Sequence, residues 1–188
     1  MSHYCDLAPG HPLHGPYHDQ EYGFPVSDDD TLFERLVLEI NQAGLSWLTV
    51  LKKRDAFHEA FAGFAVARVA SFGEPDRDRL LVDAGIIRNR RKVDAAIHNA
   101  GVVQALQADY GSFRAWLEHH HPRPHADWLT LFRRTFRFTG PEIVGEFLMS
   151  TGYLPGAHRD DCPVQARVLA AGPPWARTGG NPDADPNS

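Results

Sequence analysis

The chain contains no uninterrupted apolar run of the roughly 18 residues that a membrane-spanning helix needs, so no spanning helix is expected. Its opening stretch, MSHYCDLAPGHP, has neither a basic nor an apolar region. A secretion signal is therefore not expected, and the cytoplasm is the default location. Cysteine is scarce: only Cys5 and Cys162 occur, near opposite ends of the part expected to fold. In a reducing compartment a disulfide between them is disfavoured, which leaves metal binding or inert thiols. Strand-like alternation is almost missing and no internal repeat is visible, which argues against a sheet protein or a repeat array.

With 188 residues, 43% of them hydrophobic and 23% charged, the chain suits one globular domain, with room for two lobes. A net charge of −5 argues weakly against a generic polyanion binder. The positive charges are nevertheless clustered: Lys52, Lys53 and Arg54; Arg88, Arg90, Arg91 and Lys92; Arg133, Arg134 and Arg137. Each cluster by itself reads as a solvated helix end. Convergence of the three in space would favour a phosphate backbone as partner.

Apolar residues at helical spacing, Leu32, Phe33, Leu36, Val37 and Ile40, follow a capping signal at Ser27 and Asp30. Gly44 should end this helix and Ser46 should cap the next. Further helices are expected over residues 65–72, 76–82, 89–109, 112–120, 126–135 and 141–151, the last opened by Pro141. The fold class is therefore all-α, built from short helices. Residues 1–26 read as irregular. The stretch 172–188, rich in Pro, Gly, Asn and Asp, reads as a disordered tail, leaving residues 1–171 as the domain.

Three features could carry chemistry. Glu39 borders the apolar stripe of its helix, and position alone favours an ion-paired surface group, because a buried unpaired acid is costly. The alternative is an acceptor at a pocket wall, with Trp47 beyond the glycine break as core or as stacking platform. Second, Cys5 and His18 near one end, with His158 and Cys162 at i, i+4 in "HRDDC", offer the two sulfurs and two imidazoles of a tetrahedral zinc site. Such a site would be closed and structural, and would tie the ends together where no apolar helix does so. His3, His11 and His14 are rival ligands. Third, "LFRRTFRFTGPEIVGEFLMSTG" reads helix, short hairpin, helix, with Gly140 before a helix N-terminus where backbone N–H groups can meet a phosphate. A plain antiparallel helix pair fits that stretch by itself.

Taken together, "PYHDQEYG", "LFERLVLEINQAGLSWLTVLKKR", "DAGIIRNRRKVDAAIHNA", "FRFTGPEIVGEFLMSTG" and "HRDDC" resemble the DNA-3-methyladenine glycosylase I family, within the helix-hairpin-helix glycosylase superfamily. The segments cover most of residues 4–162 in the family's order. The resemblance implies a helix-hairpin-helix glycosylase fold with a base pocket between two helical lobes, and a structural Zn²⁺ held by Cys5, His18, His158 and Cys162. It implies that Glu39 hydrogen-bonds the excised base and that Tyr17 and Trp47 line the pocket. Phe136, Arg137, Phe138, Thr139 and Gly140 would form the DNA-binding hairpin.

The implied activity is monofunctional: excision of 3-methyladenine from alkylated double-stranded DNA by hydrolysis, leaving an abasic site for base excision repair. The absence of lysine after the hairpin agrees with that. The expected partner is DNA, with no membrane, and the expected state is a monomer. The chain departs from the family pattern at Leu7, where a tryptophan is usual, at His14 in place of a pocket tyrosine, at Thr135 in place of a glycine, and at Tyr22-Gly23 in place of "EWG". Alternatives are a glycosylase of altered base preference, a non-catalytic zinc-containing DNA-binding module, and a zinc hydrolase, which would need an open metal position.

Overall fold

The structure, a computed structural model, describes residues 3–177, which contain helices and no strand. The expected tail from residue 178 onward lies outside the described residues. Two helices occur in the N-terminal stretch read as irregular, α1 (Tyr4–Leu7) and α2 (His14–Gln20). They are too short to show a helical stripe. A reciprocal cap holds α1, with the His3 ring accepting from Cys5 N–H and the Asp6 carboxylate accepting from His3 N–H.

Helix α3 (Asp29–Gln42) starts one residue later than the capping signal suggested: Asp28, not Ser27, is the cap, its carboxylate accepting from Thr31 N–H at 2.8 Å. Asp29 and Asp30 then face the helix dipole favourably. Gly44, at φ +79°, allows the sharp exit, and Ser46 caps α4 (Trp47–Ala60) as the spacing predicts. The order continues with α5 (Val66–Ala70), α6 (Glu74–Val82), α7 (Arg90–Tyr110), α8 (Phe113–His120), α9 (His125–Thr135) and α10 (Pro141–Ser150). Each from α5 to α10 lies within two residues of its expected bounds at both ends.

Two further helices were not foreseen. Helix α11 (Pro163–Ala170) packs Val164 and Val168 on Cys5, Cys162 and Phe24. An apolar helix therefore does help to join the ends of the domain, contrary to the sequence reading. Helix α12 (Pro174–Arg177) lies in the stretch assigned to the tail, where Trp175 N–H donates to Gly152 O at 3.1 Å.

Helix α3 is the centre of the molecule. It is buried on nearly every face from Leu32 to Asn41 and packs against α4, α7, α8 and α10. Phe33 on the helix meets Phe57, Phe61, Phe113, Phe132 and Phe147 in the same buried core. A helix surrounded in this way exposes polar atoms only at its end, and there α7 supplies the partner. Lys92, 6% exposed, donates from Nζ to Asn41 O at 2.9 Å and Ala43 O at 2.7 Å. These carbonyls have no intrahelical partners, so Lys92 holds the exit of α3 and the turn leading to Trp47. Lys92→Met should cost about 2–3 kcal/mol in urea unfolding, since two buried acceptors lose a charged donor. A loss below about 0.5 kcal/mol, the range of ordinary surface changes, would show that the lysine is idle.

Candidate active site and metal centre

The exit turn places Trp47 beside Glu39 at the wall of a cavity of about 310 Å³, lined also by Tyr4, Tyr17 and Tyr22. Gln42, Glu142 and Glu146 complete the lining. The volume suits a small-molecule pocket. Tyr17, on α2, stands 5.1 Å from Trp47 between ring centroids. It is fixed from behind by Arg35, whose guanidinium lies 5.0 Å from the ring centre and donates to the hydroxyl at 3.2 Å. Arg35 in turn donates to Glu21 at 2.7 Å, and Glu21 also binds Arg54, which reaches Glu34. A chain of charges thus sets the position of one aromatic wall.

Glu39 is 4% exposed, so the surface reading favoured by its position is wrong for this fold. The helix carrying it is enclosed, and a border position on an enclosed helix is interior. Burial, reinforced by the Glu146 carboxylate, pushes its pKa up to about 8 against the opposing pull of Arg35. Between the ordinary carboxylate range and about 8, the folded protein holds a proton that the unfolded chain has released, so this group lowers stability as pH rises. Glu39→Gln has no such penalty. Its stability relative to the parent should therefore improve from about pH 5 to about pH 8. Parallel denaturant curves at the two pH values, with an unchanged difference between the proteins, would contradict the burial of an ionisable group here.

The departures at Leu7 and His14 leave the cavity walled by aromatic residues. Leu7 is 55% exposed and is not part of the cavity lining. Tyr4 takes a wall position instead, its hydroxyl 3.0 Å from Nδ1 of the buried His14. Tyr22, known from the sequence only as a departure, packs 5.3 Å from Tyr4 and donates its hydroxyl to Glu146 Oε2 at 3.0 Å. Tyr4, Tyr22 and Glu146 were missed by sequence reasoning. Glu146 did carry the same signal as Glu39, an acid inside the otherwise apolar run of α10.

The four residues Cys5, His18, His158 and Cys162 come together, all buried, with one donor atom from each within 4.8 Å of the others. The rivals His3, His11 and His14 are not in the cluster. His158 and Cys162 are joined by a turn rather than a helical turn, with Cys162 N–H donating to Arg159 O, before α11 begins. His18 Nδ1 lies 2.6 Å from Asp19, and His158 Nε2 lies 2.7 Å from Tyr22 O. Both acceptors require N–H on those atoms, which fixes the tautomers. His18 Nε2 and His158 Nδ1 are then two lone pairs 3.2 Å apart, with a thiol sulfur 3.8 Å and 3.6 Å from them respectively. Facing lone pairs repel unless a cation lies between them. The cluster could hold a metal ion. Gly23, at φ +85°, makes its close approach possible: a Cβ there would stand 2.9 Å from Ala157 Cβ and 3.3 Å from the His158 ring.

Of the three basic clusters, the first is largely used internally. Lys53 donates to Ala84 O and Gly85 O, and Arg54 is held by Glu21 and Glu34. Of the second, Lys92 is the buried donor at the exit of α3, and Arg91 lies 5.7 Å from the ring centre of Phe138, the residue after Arg137. Residues 136–140 connect α9 to α10 with Phe136 and Thr139 turned inward and Arg137 exposed. Phe138 adopts φ +62°, and the turn is held by the fully buried Asn99, which accepts from Arg137 N–H at 2.8 Å and donates to Arg137 O at 3.1 Å. Asn99 was not singled out from sequence. Arg133, Arg134, Arg88 and Arg90 are exposed.

Comparison with known proteins places this arrangement among relatives. The family model described as methyladenine glycosylase matches residues 8–165. DNA-3-methyladenine glycosylase 1 of Escherichia coli K12 is 49% identical over 96 residues, 51% of each chain. The DNA-3-methyladenine glycosylase of Haemophilus influenzae is 32% identical over 184 residues, covering 88% of this chain and 99% of that one. Among solved structures, 3-methyladenine DNA glycosylase I of Staphylococcus aureus aligns with a TM-score of 0.77 at 32% identity, over 86% of this chain and 95% of that one. A single-substitution variant of 3-methyladenine DNA glycosylase I in complex with 3-methyladenine aligns equally well, TM-score 0.77 at 32% identity, over 86% and 96% of the two chains.

Proposed function

The chain belongs to the methyladenine glycosylase family, and on that premise we propose that it excises 3-methyladenine from alkylated double-stranded DNA, leaving an abasic site. The observation that carries this reading is the buried acid Glu39 at the wall of an aromatic cavity large enough for a purine. Methylation at N3 gives the adenine a positive charge and weakens its bond to the sugar. The base is then a good leaving group, and the protein's work is to extract, select and hold it. Unstacking a damaged base costs a few kcal/mol. Trp47 and the tyrosines opposite it offset part of that by stacking and by cation–π attraction.

Glu39 acts as acceptor for the exocyclic amine. With its pKa near 8 the empty pocket keeps it mostly protonated at neutral pH, and a cationic base entering takes the place of that proton. A hydrogen bond to the resulting carboxylate contributes roughly 1.5–3 kcal/mol. Cleavage of the glycosidic bond leaves its electron pair on the base, which departs neutral. Positive charge passes to the sugar, water adds at the sugar carbon, and one proton is released. No lysine follows the hairpin to form a covalent intermediate, in keeping with a monofunctional enzyme.

The hairpin, residues 136–140, with Arg91 beside Phe138 and the exposed Arg133, Arg134 and Arg137, forms the surface that would take the DNA backbone. Cys5, His18, His158 and Cys162 would hold Zn²⁺. Tetrahedral donors at usual zinc distances sit roughly 3.3–3.8 Å apart; four of the donor pairs in the cluster are 3.2 to 3.8 Å apart, and all lie within 4.8 Å. Four protein donors close the site, so its chemistry is structural and a zinc hydrolase is disfavoured. A cytoplasmic location and action as a monomer go with this reading.

The deciding experiment incubates the protein with DNA methylated by dimethyl sulfate and identifies the bases released. Release of 3-methyladenine in preference to 7-methylguanine is expected. Release of another base alone would replace the substrate, and DNA binding without any release would favour a non-catalytic module. Arg137→Ala should weaken DNA binding by a factor of several and lower the salt slope by about one, as for a single lost phosphate contact. An unchanged slope in a salt titration would remove Arg137 from the DNA surface.

A further inference from the structure

The cavity holds a second acid whose position has no structural need. Glu146 projects from α10 into the same space as Glu39, and the two carboxylates act on one another electrostatically. Its one hydrogen bond comes from the Tyr22 hydroxyl at 3.0 Å, which an uncharged amide oxygen could accept equally well. Among the described residues no cation pairs with it. Arg35, the cation acting on Glu39, is committed to Glu21 and Tyr17. Glu142, exposed on the same helix, adds a further negative charge and no positive one.

We infer that Glu146 is a specificity-determining residue that reads the positive charge of the alkylated base. This rests on the glycosylase reading above. Two carboxylates, Glu39 buried and Glu146 half-buried, facing one aromatic slot without a resident cation among the described residues, form a region where a neutral purine gains nothing and a cationic one gains from both. Burial foremost pushes the pKa of Glu146 up, against the pull of the Tyr22 hydrogen bond and with a further push from Glu142, and an entering cation favours its charged form. Glu39 supplies direction through its bond to the exocyclic amine, and Glu146 supplies selection by charge. The base carries its charge only while it is attached to the sugar. Glu146 therefore stabilises the captured nucleotide more than the departing neutral base, and its contribution should fall on KM rather than on kcat.

Glu146→Gln removes the charge and keeps the acceptor for Tyr22, whereas Glu146→Ala removes both. Binding is read by tryptophan fluorescence with two probes: 3,9-dimethyladeninium, whose charge is fixed, and neutral 3-methyladenine. Glu146→Gln should weaken the cation about tenfold, the order of one solvent-near charge pair, and leave the neutral base within about twofold. On methylated DNA it should raise KM with little change in kcat. Glu146→Ala should weaken both probes, because Tyr22 is released as well. Equal effects of Glu146→Gln on the two probes, or no effect on either, would overturn the inference. A parent protein that binds the cation preferentially yet releases no base from DNA would sink the glycosylase reading, while the probe comparison would still decide the role of Glu146.

Discussion

Glu39→Gln should reduce 3-methyladenine release by about 100-fold or more while leaving the protein folded. The magnitude follows from what the amide lacks. It can accept from an exocyclic amine, but it cannot offer a full negative charge to the cationic base or to the sugar as positive charge moves onto it. Loss of one such electrostatic group in a water-poor site typically costs two to three orders of magnitude in rate. The fold should be unharmed, because Glu39 forms no ion pair in the described structure and its burial as an acid is a burden that glutamine does not share. Single-turnover assays on methylated DNA, with circular dichroism as a control for folding, test both halves. Release within about threefold of the parent would remove Glu39 from the chemistry.

Loss of the proposed zinc should act on both stability and activity. Purified protein should contain about one zinc per chain, and Cys162→Ser or removal of zinc by a chelator should lower Tm by about 10–20 °C. A structural site in a domain of this size would account for roughly 5 kcal/mol or more, at about 2–4 °C per kcal/mol. The effect should reach the cavity because three of its aromatic walls are fastened at the cluster. Tyr4 adjoins Cys5, Tyr17 adjoins His18, and the carbonyl of Tyr22 accepts from His158. Releasing the four ligands frees those walls, so the affinity for 3-methyladenine should fall along with Tm. Metal-free protein of full thermal stability would refute the structural role. A stable metal-free protein that had lost only base affinity would instead put the metal in service of the pocket alone.

Much of the helical framework was legible locally. Ser46 at the start of α4 and Pro141 at the start of α10 are signals that act within one turn, and both elements begin where those residues place them. The errors have local causes too. Asp28 outcompeted Ser27 as the cap of α3, and α1 and α12, at four residues each, are too short to display a period. The site was legible only in part. Glu39, Tyr17 and Trp47 were named, and they do line one cavity, but Tyr4, Tyr22 and Glu146 were not, because nothing in the chain's order relates residue 4 to residue 146.

What the sequence by itself determined was the all-helical character, most helix boundaries and the family segments, since each depends on neighbouring residues or on a pattern of residue types. The tertiary structure alone decided that Glu39 is enclosed and holds its proton toward pH 8, that Tyr4 lines the cavity while Leu7 does not, and that Arg91 lies against Phe138 of the hairpin. Desolvation and charge–charge coupling depend on distance through space, and the packing of α1, α2, α3 and α10 around one cavity sets those distances.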